Sequence, residues 1–67
     1  MTGKELLRKL KLLGCEVVRQ RGSHVRVRCG ICNTTVPVHK SEQLGKGLLR
    51  SIERDLEPCL GERWLDK

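Results

Sequence analysis

The sequence is poor in aromatic residues: Phe and Tyr are absent, and Trp64 is the only Trp. Its core must therefore be built from Leu, Val and Ile side chains. It also lacks any apolar run near the ~20 residues that a membrane-spanning helix needs, and it lacks the apolar centre of a signal peptide. We therefore expect a cytoplasmic protein that has no membrane partner.

The short chain also limits the architecture. Its 67 residues are enough for one small domain, with a core over about residues 3–56 and a C-terminal tail over 59–67. A chain of this size leaves much of its surface in contact with water. One sheet covered by one or two helices is about the most that it packs.

Positive charge exceeds negative charge, with fourteen Lys and Arg against eight Asp and Glu and a formal net charge of +6. Four arginines fall within ten positions, namely Arg19, Arg21, Arg26 and Arg28. A cluster of this density favours a polyanionic partner, and nucleic acid is favoured over a membrane surface because no amphipathic helix carries the charges. The alternative is a solvated basic face that has no partner.

Two helices are predicted near the ends of the chain. The first covers residues 3–13, where leucines recur at helical spacing before Gly14. The second covers about residues 46–56 and is expected to end near Pro58. The tail is expected to add a short turn that docks Trp64.

Three strands are predicted between the helices. They cover residues 16–20, 24–29 and 34–38. Polar and apolar residues alternate along the second strand, which predicts one exposed face that carries His24, Arg26 and Arg28. Pro37 has no amide for the ladder, so either the third strand lies at a sheet edge or Pro37 lies on its unpaired side. The sequence thus predicts an α+β fold of order α-β-β-β-α, a three-stranded antiparallel meander with both helices on one face.

The predicted register brings the two histidines together. A turn over residues 30–33 would place Cys29 opposite Thr34, and the same register would place His24 opposite His39. Directly opposed residues have Cβ atoms roughly 4.5–5.5 Å apart. Both histidines would then meet at one end of the basic exposed face.

These histidines are the candidate catalytic residues. Cleavage of RNA without a metal needs a base for the ribose 2′-hydroxyl, an acid for the leaving oxygen and cations for the phosphate, which histidine and arginine provide. The candidate RNA-binding residues are Arg19, Arg21, Gly22, Ser23, Arg26, Arg28 and Lys46. The alternative is that His24 merely begins a strand and His39 merely ends one.

Four cysteines are many for so short a chain. Without a secretion signal, metal binding or free thiols are favoured over disulfides. The topology gathers all four at the end of the domain opposite the histidines, so we hypothesise a structural zinc site far from catalysis, which itself needs no cofactor. Its ligands would be Cys15, Cys29, Cys32 and Cys59. The alternative is that they are small buried hydrophobes and turn thiols.

Three segments stand at a specific spacing: Arg-Gln-Arg-Gly-Ser-His at 19–24, Thr-Val-Pro-Val-His at 35–39 and Leu-Gly-Lys-Gly-Leu-Leu-Arg-Ser-Ile at 44–52. With the order of elements, they resemble the HicA family of toxin endoribonucleases. The resemblance implies a fold like a double-stranded-RNA-binding domain, cleavage of mRNA, and a HicB-type antitoxin that covers the active site. The family's catalytic histidine falls on His24 and its turn glycine on Gly22.

The chain departs from the family at its cysteines. Relatives usually carry an aromatic residue at the position of Cys15, and a plain polar turn where this chain has Cys-Gly-Ile-Cys at 29–32.

The sequence leaves three functions open: a toxin that cleaves single-stranded mRNA, a non-catalytic RNA- or DNA-binding module, and a zinc-stapled adaptor that binds another protein. RNA binding that survives His24→Ala without cleavage would favour the second, and unfolding on chelation with little RNA affinity would favour the third.

Overall fold

The fold is a three-stranded antiparallel sheet flanked by two helices. In the computed structural model, which describes residues 1–66, the strands are paired in the order β1-β2-β3. The elements are α1 (Gly3–Leu12), β1 (Glu16–Arg21), β2 (His24–Cys29), β3 (Cys32–Pro37), α2 (Lys46–Leu60) and a short 3-10 helix (Trp64–Asp66). This order confirms the predicted α+β fold. Lys67, the last residue of the predicted tail, lies outside the described residues.

Helix α1 begins with a capping box. The Thr2 hydroxyl accepts a hydrogen bond from the Glu5 amide (3.2 Å), and the Thr2 amide donates one to the Glu5 carboxylate (2.8 Å). Because this backbone donation stabilises the ionised carboxylate, the pKa of Glu5 lies below its ordinary value. The helix buries Leu6 and Leu10 completely and ends at Leu12, one residue before the predicted end.

Two-residue turns connect the strands. Gly22 and Ser23 form the first turn, and Gly30 and Ile31 form the second. Each turn begins with a glycine at positive φ, 60° at Gly22 and 62° at Gly30. Glycine at the first loop position is typical of type II′ hairpin turns, whose twist matches that of the flanking strands.

The second turn is shorter than the four-residue turn predicted from the sequence, and this changes the register. Strand β3 begins at Cys32, which lies opposite Cys29, and His24 lies opposite Pro37. The predicted pairing of His24 with His39 is therefore wrong. Because the shift is by two residues, an even number, each side chain keeps its predicted face of the sheet.

Both helices pack on the same face of the sheet. Helix α1 contacts β3, and α2 contacts β2 and β3. The buried aliphatic and aromatic side chains form one cluster, which consists of Leu6, Leu10, Val25, Val27, Val36, Ile52, Leu56 and Trp64. Strand β3 is an edge strand, which is the first of the two placements that Pro37 allows. Among residues 1–66, no helix has the length and apolar character needed to cross a bilayer.

Helix α2 extends to Leu60, beyond its predicted end near residue 56. Pro58 lies in the last turn, where its missing amide removes a single hydrogen bond from the helix. The turn persists because Cys59 is bonded to Cys32 and Leu60 packs against the core.

The tail docks on α2 through Trp64, which confirms that prediction. The Trp64 indole Nε1–H donates to the Glu53 carbonyl (2.8 Å), and the Leu65 amide donates to the Glu53 carboxylate (3.3 Å). Arg50 donates to the same carboxylate at 2.8 Å, and this hydrogen bond raises the pKa of Arg50. The buried Glu53 side chain therefore has charged and polar partners that offset its desolvation.

Candidate active site

The open face of the sheet carries a basic cleft of about 210 Å³. It is lined by two side chains of β1, two of β2 and one of β3, namely Arg19, Arg21, His24, Arg26 and Thr35. The alternation along β2 places His24 and Arg26 on this face, because Val25 and Val27 point into the core beneath the helices. The structure therefore brings together one predicted catalytic residue and three of the predicted RNA-binding residues.

Two arginines face one another across the strands that form this cleft, since Arg19 lies opposite Arg26. Arg21 lies opposite His24. Like charges directly opposed in an antiparallel pair, such as those of Arg19 and Arg26, are destabilising. Among residues 1–66, none of these arginines forms an ion pair with a carboxylate. The arrangement therefore favours binding of an anion between the guanidinium groups on the open face of the sheet.

One contact orients a cleft arginine. The Arg26 Nη1 atom donates to the Thr35 hydroxyl at 3.0 Å, across the β2–β3 pair. Sequence reasoning missed Thr35, because the register inferred from a longer turn put Arg26 opposite Pro37. The glycine at the start of the short second turn is the signal that identifies the correct register.

Arg28 lies outside this cleft, although it shares the open face. It forms an ion pair with Glu16, its register partner on β1. Its charge is therefore partly neutralised within the chain, unlike the charges of the three arginines that line the cleft.

The turn before His24 is open. Within residues 1–66, and apart from its two chain neighbours, no atom lies within 4 Å of the position that a Cβ would take on Gly22. The Gln20 side-chain amide donates to the Gly22 carbonyl at 3.1 Å. Ser23 is half-buried, and its Oγ lies 3.4 Å from the Nε2 atom of His39. Gly22 thus leaves space for a ligand backbone to approach His24.

His39 and Lys46 do not line the cleft that contains His24. His39 follows the end of β3 and lines a separate depression beside Glu42 and Leu44. Lys46 is exposed at the first position of α2. The structure therefore does not bring these two predicted site residues into the cleft with His24.

The four cysteines lie at the opposite end of the sheet, as predicted. They are bonded in pairs, Cys15 with Cys29 and Cys32 with Cys59, and residues 1–66 contain no free cysteine. The expectation that disulfides are disfavoured is therefore corrected for this form of the chain, because the fold brings each pair within bonding distance. With the cysteines bonded in this way, residues 1–66 contain no group of three or more His, Cys, Asp or Glu side chains that could hold a metal ion.

Fold and cleft together define a small α+β domain with a basic, histidine-containing cleft on the open face of its sheet. The chain belongs to a family described as the HicA toxin of bacterial toxin–antitoxin systems, whose model matches residues 3–57. This membership indicates that the chain is a toxin, and it implies an antitoxin partner. Neither a curated protein nor a solved structure shows significant similarity to the chain.

Proposed function

We propose that this toxin is an endoribonuclease that cleaves single-stranded mRNA without a metal ion, with His24 as its catalytic residue. One observation carries the proposal: His24 lies in a single cleft with Arg19, Arg21 and Arg26, three cations without a carboxylate partner among residues 1–66. RNA carries a phosphate that the arginines can bind and, next to it, a 2′-hydroxyl from which His24 can accept a proton.

The reaction that fits this cleft is an internal transesterification. The His24 imidazole accepts the proton of the ribose 2′-hydroxyl while the 2′-oxygen attacks the adjacent phosphorus and the bond to the 5′-oxygen breaks. An acid then protonates the leaving 5′-oxygen, which leaves a 2′,3′-cyclic phosphate and a 5′-hydroxyl end. Imidazole suits this work because its charge changes near neutral pH.

The cleft arginines stabilise the charge that develops on the phosphorane. Each guanidinium presents a planar fork of donors that matches two phosphate oxygens. The repulsion between Arg19 and Arg26 in the free protein is relieved when an anion lies between them. The same two positive charges therefore bind the phosphate and stabilise the negative charge that develops on it during cleavage.

His39 is our candidate for the acid that protonates the leaving 5′-oxygen. Its contact with Ser23 places it beside the turn that precedes His24, although it lines a different depression. We therefore assign it a smaller effect on cleavage than His24. Gly22, Ser23, Arg28 and Lys46 are proposed as contacts to RNA that extends beyond the cleft.

The partner we propose is an antitoxin of the HicB type, acting in the cytoplasm where mRNA is translated. Because the cleft is strongly basic, we expect the antitoxin to cover His24 with an acidic segment. Burial of the cleft would exclude RNA without any change in the toxin itself.

The proposal is tested by incubating a defined single-stranded RNA with the purified chain in EDTA, beside His24→Ala and His39→Ala. Far-UV circular dichroism establishes that each variant is folded. We expect cleavage by the wild type, a loss of about 10²–10⁴-fold in His24→Ala, and a smaller loss in His39→Ala. Product ends with a 2′,3′-cyclic phosphate would identify the transesterification.

Two results would contradict the proposal. Folded His24→Ala that cleaves at the wild-type rate would remove His24 from the chemistry. RNA binding that is equal in both proteins, with cleavage in neither, would replace the nuclease with a non-catalytic binding module.

A further inference from the structure

The end of the sheet remote from His24 contains an unusual concentration of sulfur. Cys29 and Cys32 flank the two-residue turn and lie directly opposite one another, both buried. Cys15 stands just before β1, and Cys59 lies in the last turn of α2. Three separate parts of the fold therefore deliver four sulfur atoms to one end of the domain.

Cα separations show how near these four residues lie. Cys15 and Cys29 have Cα atoms 4.4 Å apart, and Cys32 and Cys59 have Cα atoms 6.1 Å apart. The Cys59 Sγ also lies 3.8 Å from the position of a Cβ on Gly30, so it lies against the hairpin turn. Since opposed residues of a hairpin have Cβ atoms about 4.5–5.5 Å apart, the two pairs adjoin.

This arrangement supplies the residue types and the hairpin turn that a tetrahedral zinc site uses. Such sites use Cys-x-x-Cys turns together with two further thiolates at zinc–sulfur distances of about 2.3 Å, which separates neighbouring sulfurs by roughly 3.8 Å. We expect four thiolates that lie close enough to form two adjoining disulfides to reach this spacing by rotation of their side chains.

We propose that the reduced form of the chain binds one zinc ion through Cys15, Cys29, Cys32 and Cys59. The inference rests on the proposed function in one respect, the compartment: a toxin that cleaves mRNA acts in the cytoplasm, where glutathione and thioredoxin keep thiols reduced. Zinc then replaces the disulfides as the link between the start of β1, the hairpin turn and the end of α2.

The conversion is balanced with a thiol reductant. Each disulfide is reduced to two thiols while two molecules of a small thiol are oxidised to their own disulfide. One Zn²⁺ then displaces the four cysteine protons and forms four zinc–sulfur bonds. The site carries a charge of −2, which a chain of net charge +6 accommodates.

The test uses the full chain, prepared with a thiol reductant and without chelator, then freed of loosely bound metal. Elemental analysis is expected to give one zinc per chain, and the four cysteines are expected to resist alkylation until zinc is removed. Replacement of zinc with Co²⁺ is expected to give the visible bands of a tetrahedral tetrathiolate. The oxidised chain is expected to bind neither metal.

Variants separate the ligand set from other metal binding. Cys29→Ser with Cys32→Ser is expected to lose the zinc, while His24→Ala and His39→Ala retain it. A folded, reduced wild-type chain without zinc, or a cobalt spectrum that lacks thiolate bands, would overturn the proposal even where the serine variant fails to fold. Zinc content is measured without RNA, so a negative result here disproves the zinc site and leaves the proposed nuclease activity to be tested separately.

Discussion

The Arg26 guanidinium donates a 3.0 Å hydrogen bond to the Thr35 hydroxyl inside the cleft that His24 lines. We predict that Thr35→Val lowers the rate of RNA cleavage at least about tenfold, because a hydrogen bond to a charged group contributes about 1.5–3 kcal/mol. Thr35→Ser, which keeps the hydroxyl, is expected to retain most of the rate. Single-turnover cleavage measures both. Equal rates for Thr35→Val and the wild type would show that cleavage does not depend on the hydrogen bond by which Thr35 orients the Arg26 guanidinium.

Binding of RNA is predicted to depend on the cleft arginines through counterion release. Arg21→Gln, made in a His24→Ala background that prevents cleavage, should lower the slope of log K against log salt by about 0.7 for a single strand. The matched control is Arg54→Gln, since Arg54 is exposed on α2 and lies outside the cleft. Fluorescence anisotropy with a labelled RNA across a salt series gives both slopes. A similar decrease in both variants would indicate nonspecific attraction to the net charge.

The local patterns in the sequence predicted the fold well, because leucine spacing and the alternation along β2 each depend on a few neighbouring residues. The predicted register of β2 and β3 was wrong, because register depends on turn length and Gly30 allows a tighter turn than expected. The prediction of which side chains lie on the open face was still correct, because the register shifted by an even number of residues. The sequence also predicted that the four cysteines gather at one end of the sheet. It did not predict that they are bonded as Cys15–Cys29 and Cys32–Cys59, because disulfide formation depends on redox conditions that residue patterns do not contain.

Gly3 is predicted to be intolerant of any side chain. A Cβ at this position would lie 2.2 Å from the carbonyl oxygen of Pro37, where the start of α1 meets the end of β3. Both partners are backbone, so relief of the clash needs movement of the helix or the strand. Gly3→Ala should therefore lower the free energy of unfolding by about 1–3 kcal/mol.

Gly47→Ala provides the comparison for Gly3→Ala. Gly47 lies in α2, where no atom of another element in the described part of the chain lies within 4 Å of the position that a Cβ would take. Alanine there should therefore raise the free energy of unfolding by about 0.5 kcal/mol. Urea denaturation followed by circular dichroism measures both variants. Equal stability of the two variants would show that the approach of α1 to Pro37 is looser than these distances indicate.

Trp64 is predicted to stabilise the domain through its indole N–H as well as its buried ring. Trp64→Phe keeps an aromatic ring but removes the hydrogen bond to the Glu53 carbonyl, so the free energy of unfolding should fall by about 1–2 kcal/mol. Leu12→Ala is the control, because Leu12 is 84% exposed and its loss should change stability by less than about 0.5 kcal/mol. Since Trp64→Phe removes the only tryptophan, urea titrations must be followed by circular dichroism. An unchanged midpoint in Trp64→Phe would mean that the hydrogen bond from the indole to water in the unfolded chain fully compensates for the one to Glu53, and that the buried ring alone accounts for the contribution of Trp64.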